Sequence, residues 1–96
     1  MDRVIPYNEI SNVEELINGY RRFKRNCEVE SHFEFCAIKA LIDLDDSTKI
    51  VLTTCDYGEE IIEEIKSILD FVGNKFSHSE TLTELISNSL NTLEEF

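Results

Sequence analysis

Apolar positions recur at helical spacing in three stretches of the chain. Val13, Leu16, Ile17 and Tyr20 do so within residues 12 to 25, and Ile61, Ile65, Ile68, Leu69 and Val72 within 57 to 72. Leu82, Leu85, Ile86, Leu90 and Leu93 repeat the rhythm within 78 to 94. Ahead of each stretch a capping residue stands three positions before a glutamate: Ser11 and Glu14, Asp56 and Glu59, Ser77 and Glu80. This pattern predicts three helices. The basic run RRFKR complements the dipole at the end of the first, Gly73 is placed to end the second, and the short link after it predicts an antiparallel pair.

Residues 28 to 55 carry two patterns at once. Val29, Phe33, Cys36, Ala37, Ala40, Leu41 and Leu44 suit a helix. Strands are favoured by the turn-like DDST between two apolar runs, by the β-branched KIVLTT after it, and by alternation in two halves. Val29, Phe33 and Phe35 share one phase, whereas Ile38, Ala40, Ile42 and Leu44 share the other, as one bulge residue near Cys36 would produce. The expectation is a bent hairpin, 28 to 44 with 48 to 55, and a short additional strand around Arg3 to Pro6. Residues 1 to 96 are thus expected to form one α+β domain of order (β)αββαα, a small antiparallel sheet packed against three helices.

Charge changes the picture more than composition does. The 96 residues suffice for one core, and 42% of them are apolar, but 20 acidic residues against 9 basic ones leave a net charge of −11. Arg3, Arg21, Arg22, Lys24 and Arg25 outweigh the acids among the first 25 residues, so nearly all of the negative field belongs to the remainder. Such a field repels nucleic acid and anionic membranes and attracts basic proteins. The start MDRVIPYNEI lacks an apolar segment of signal-peptide length, and no run approaches the ~18 apolar residues of a membrane span. Together with an odd number of cysteines, Cys27, Cys36 and Cys55, this predicts a cytoplasmic protein with reduced thiols.

The acid is most concentrated in GEEIIEEIKSILD, residues 58 to 70. Counted from Glu59 at 100° per residue, Glu59, Asp70, Glu63, Glu60 and Glu64 fall at about 0°, 20°, 40°, 100° and 140°, opposite the isoleucines and leucines. Part of this is the polar half that any amphipathic helix needs, helped by the dipole in the first turn. The like-charge pairs Glu59 with Glu63 and Glu60 with Glu64 nevertheless cost about 0.2–0.5 kcal/mol each. Carboxylates about 5.4 Å apart along a helix can imitate phosphates to a groove lined with lysine and arginine. Asp43, Asp45 and Asp46 around the expected turn would support that surface.

No catalytic signature accompanies it. There is no glycine-rich phosphate loop, GxSxG or HExxH, and Cys27, His32, Cys36 and Cys55 lack the CxxC spacing of a zinc site. Cys27, after the basic run, is the one thiol expected to have a lowered pKa. His78 falls in the first turn of the third expected helix, where the dipole disfavours a proton. RRFKR, with its central aromatic, has the composition of a nucleic-acid contact, but internal pairing is the plainer expectation. The sequence therefore predicts a non-enzymatic acidic inhibitor of a basic nucleic-acid-handling protein such as a nuclease. It would use no cofactor or metal and touch neither nucleic acid nor membrane. Small acidic phage-encoded anti-defence proteins, anti-CRISPR proteins among them, offer a functional analogy. DYGEEI, residues 56 to 61, is similar through YGE to the YGEN segment of the barstar nuclease inhibitors, which implies a toxin-immunity protein as a second reading. A homodimeric regulatory or scaffold subunit, joined through the hairpin edge or through Tyr57 and Phe96, is the third.

Overall fold

The structure, a computed structural model, describes residues 10–28 and 34–95. The strand expected at Arg3 to Pro6, the expected strand positions Val29 and Phe33, and His32 and Phe96 lie outside them. Within them the chain forms four helices and no strand: α1 (Val13–Glu28), α2 (Glu34–Thr54), α3 (Glu59–Lys75) and α4 (Glu80–Glu94). The α+β expectation is overturned, because the segment read as a hairpin is, from Glu34 to Thr54, one helix of 21 residues.

The reason lies in the phase of its core positions. Ala37, Leu41, Leu44, Thr48 and Val51 are all fully or almost fully buried, and their spacing of three and four continues straight through DDST. Asp45 to Thr48 supply neither the glycine nor the asparagine that a tight hairpin turn requires, and α2 contains no glycine or proline. Its threonines are accommodated by bonding backward along the helix. Thr48 Oγ1 donates to the Leu44 carbonyl at 2.7 Å, Thr53 to Lys49 and Thr54 to Ile50. No bulge exists at Cys36, whose phase change is simply the passage from one helix face to the next.

Helix ends also depart from expectation. At α1 the cap is Asn12 rather than Ser11: its Oδ1 accepts the Glu15 N–H at 2.8 Å, while the Glu15 carboxylate accepts from the Asn12 amide and the Ser11 hydroxyl. Before α3 the cap position is Gly58, with no side-chain bond, so Asp56 does not cap. The cap of α4 is Ser79, which accepts the Leu82 N–H, rather than Ser77. Gly73 does not end α3; it lies inside the helix, without positive φ, and its Cα side faces Ile86 across the α3–α4 contact.

Cross-helix contacts give the topology. Tyr20 meets Thr48 and the Cys55 thiol reaches the Ser11 carbonyl, so α1 and α2 run antiparallel. Glu34 approaches His78 and Asp45 meets Ser89, so α2 and α4 run parallel. Arg21 pairs with Glu64 and Lys24 lies over Phe71, placing α3 parallel to α1. The α3–α4 pair is antiparallel, as its short connection predicts, with Glu59 and Glu63 beside Leu93 and Glu94. Two hairpins of helices are thus stacked, α1 on α3 and α2 on α4, leaving α2 and α3 diagonal to each other. All four contribute to one core, in which Leu16, Phe23, Leu41, Leu44, Ile65 and Leu69 are completely buried.

One polar chain crosses that core. Thr48 spends its single proton on the Leu44 carbonyl, so the buried Tyr20 hydroxyl must be the donor in its 2.8 Å bond to Thr48 Oγ1. Burial holds the phenol protonated well above its ordinary 10.0, against the Thr48 bond, with the Asp45 charge adding to the effect. Substitution Thr48→Val strands the Tyr20 hydroxyl and should cost about 1–3 kcal/mol in urea denaturation. Adding Tyr20→Phe removes the stranded group, so the double variant should recover much of that loss. Strictly additive losses would refute the coupling.

Candidate functional site

Helix α3 distributes its carboxylates over two edges. Glu59 and Glu63 face the groove toward the end of α4, where an open cavity of about 350 Å³ is lined by them with Tyr57, Lys66, Leu93 and Glu94. Asp70 continues this row at the other end of the helix, in a second cavity of about 420 Å³ with Gly73, Thr83 and Ile86. Glu60 is exposed between the edges. Glu64 turns the opposite way, toward α1. The Arg21 guanidinium holds it bidentately, Nη2 to Oε1 at 2.9 Å and Nε to Oε2.

That pair removes Glu64 from the set of open carboxylates. The Arg21 bond, opposed by slight desolvation and aided by the Arg21 and Lys24 charges, holds the Glu64 carboxyl below its ordinary 4.5. Its stabilising effect is therefore present above that value and fades as the pH falls through the lowered one. By contrast Glu59, Glu60 and Glu63 make no ion pair among the described residues. Glu59 and Glu60 occupy the first turn of α3, where the dipole favours them and no side-chain cap competes.

The α2 acids do not join this surface. Asp45 is structural: its Oδ1 accepts from Ser89 on α4 at 3.1 Å and its Oδ2 lies 3.3 Å from Lys49 Nζ. Asp43 is half-buried and Asp46 exposed, on a helix diagonal to α3. Sequence reasoning missed Glu94, which the antiparallel packing of α4 brings beside Glu59 and Glu63. Nothing in the local pattern marks it, since the two segments lie far apart in the chain.

The remaining chemistry resolves into structure. RRFKR is no stacking platform, because Phe23 is completely buried, Arg21 is taken by Glu64, and Lys24 Nζ sits 5.3 Å from the Phe71 ring. Cys27 is likewise in the core. Burial pushes its thiol up to about 11, with the Lys75 charge only partly opposing, so the expected lowered pKa is reversed. Cys36 is exposed and Cys55 half-buried, and among the described residues no group of three metal-ligating side chains converges. His78 lies in the turn before α4 rather than in its first turn, with Nε2 3.6 Å from Glu34, an ion pair only when the imidazole is protonated. No described helix is long and apolar enough to cross a membrane. Compared with known proteins, the chain matches no family model, no curated protein and no solved structure. What stands is a four-helix domain with an acidic groove along α3 and α4.

Two outcomes follow for the thiols. A thiol-labelling time course should show Cys36 reacting first and Cys27 only on the timescale of global opening, and rapid labelling of Cys27 would contradict its burial. In the folded protein Cys27 and Tyr20 keep protons that the unfolded chain releases from its ordinary 9.0 and 10.0. Their contribution to stability should therefore be complete below about pH 9 and decline as the pH rises beyond it, with a shallower decline in Cys27→Ala relative to its own neutral-pH value.

Proposed function

We propose that the protein is a non-enzymatic acidic binding protein that occupies the basic surface of a nucleic-acid-handling partner, such as a nuclease. The observation that carries this reading is the row Glu59, Glu63 and Glu94, with Glu60 beside it, exposed and without an ion pair among the described residues on one edge of the α3–α4 pair. The helix dipole accounts for Glu59 and Glu60 in the first turn but not for Glu63 or Glu94. The basic end of α1 neutralises a carboxylate on the other edge of α3, whereas on this edge Lys66 is the one cation lining the groove among the described residues.

Carboxylates on a helix are fixed in spacing, so a lysine- and arginine-lined groove meets them without first ordering a flexible chain. Their contribution is complementarity and encounter rate, which fall as salt screens the field. Glu64 is excluded from the contact set by its bond to Arg21, and Asp45 by its bonds to Lys49 and Ser89. Asp70 lies at the far end of the row, and Asp43 and Asp46 stand apart from it on α2.

Immobilised wild-type protein should retain a nucleic-acid-handling protein from a bacterial lysate, identified by mass spectrometry, with retention falling steeply as salt is raised. The triple variant Glu59→Lys, Glu60→Lys, Glu63→Lys should retain roughly tenfold less of it. Glu64→Gln should change retention little. Equal, salt-independent retention by the triple variant would overturn the reading.

A further inference from the structure

The large apolar side chains exposed on the described surface all belong to α2. Phe35 is 67% exposed, Ile42 44% and Ile50 62%. They are not scattered. With Lys39 and Asp46 they fall within about 80° of the helix circumference, a narrow seam on the side away from α1 and α4. Exposed apolar residues aligned on one face mark a surface suited to a contact.

The order of residues along it is self-complementary. When two antiparallel α2 helices are placed with a dyad between residues 42 and 43, Phe35 comes level with the partner's Ile50. Lys39 comes level with the partner's Asp46, and Ile42 meets the partner's Ile42 across the axis. Both charges of the seam lack an ion pair within their own copy: Asp46 makes none among the described residues, and Lys39 Nζ lies 5.8 Å from the Phe35 ring instead. A parallel arrangement would set lysine on lysine and aspartate on aspartate. Apolar and charged matching therefore select the same register, the requirement of an isologous contact.

We propose that the protein forms a two-fold symmetric homodimer through the exposed face of α2, antiparallel and centred on Ile42. The paired seam runs about 24 Å along the helices from Phe35 to Ile50. A contact confined to so narrow a seam sits at the low end of specific interfaces, so the dimer is expected to be weak and to exchange with monomer. Repulsion between two copies of net charge −11 is screened over about 8 Å at physiological salt. The seam lies on a helix diagonal to α3, so dimerisation leaves the acidic groove open and doubles it. The inference stands independently of the partner assigned above.

Sedimentation equilibrium at about 150 mM salt tests it. The wild-type protein should pass from monomer to dimer as its concentration rises through the micromolar range, and Ile42→Lys should remain monomeric with an unchanged far-UV spectrum. Asp46→Lys should weaken the dimer roughly tenfold or more by opposing the partner's Lys39, and the swap Lys39→Asp with Asp46→Lys should restore it. In a Cys36→Ser background, Ile42→Cys should oxidise to a covalent dimer, whereas the native Cys36 residues, about 20 Å apart along the pair, should not cross-link within it. A monomeric wild-type protein at several hundred micromolar, a charge swap that fails to restore association, or a dimer that Cys36 readily cross-links would each overturn the proposal.

Discussion

The fold depends on the burial of a threonine. Thr48 sits in the middle of α2 at a position that the core requires, and its hydroxyl would be costly there without partners. It donates to its own helix at Leu44 and accepts from Tyr20 of α1, so a polar group that could have ended the helix instead fastens two helices together. With α2 continuous, its ends are far apart. The start can then reach His78 and the middle Ser89, which places α4 alongside and leaves α3 to close the stack beneath α1.

That arrangement divides the charge. A chain with a net −11 has few cations to spend, and the described basic run is laid across α3, where Arg21 takes Glu64 and Lys24 lies over Phe71. The opposite edge of α3 receives the end of α4 and with it Glu94. One edge of a single helix is therefore neutralised and the other made more acidic, by packing alone. The same packing gives α2 an outer face that neither neighbour covers, where apolar and charged residues are ordered symmetrically about Ile42. An acidic groove and an apolar seam on diagonal helices can serve separate contacts without competing.

The sequence by itself determined three of the four helices, their amphipathic faces, the antiparallel pairing of the last two and the polar edge of α3. Each rests on a local period of 3.6 residues, which a chain cannot disguise when its apolar positions are few and well spaced. It did not determine α2, because a stretch with many apolar residues satisfies the periods of helix and strand together, and DDST resembles a turn wherever no contact contradicts it. The hairpin was excluded partly by local chemistry, since DDST lacks the glycine or asparagine of a tight turn, and decisively by tertiary contact: a core that accepts Ala37, Leu41, Leu44 and Val51 on one stripe, and a tyrosine on another helix to satisfy Thr48. Capping shifted by one or two residues for a related reason, since several polar candidates stand before each helix and packing selects which one the first turn meets. The pairing of Arg21 with Glu64 and the gathering of Glu94 beside Glu59 were likewise decided only in three dimensions, because charge interacts through space and the chain order carries no record of which helices become neighbours.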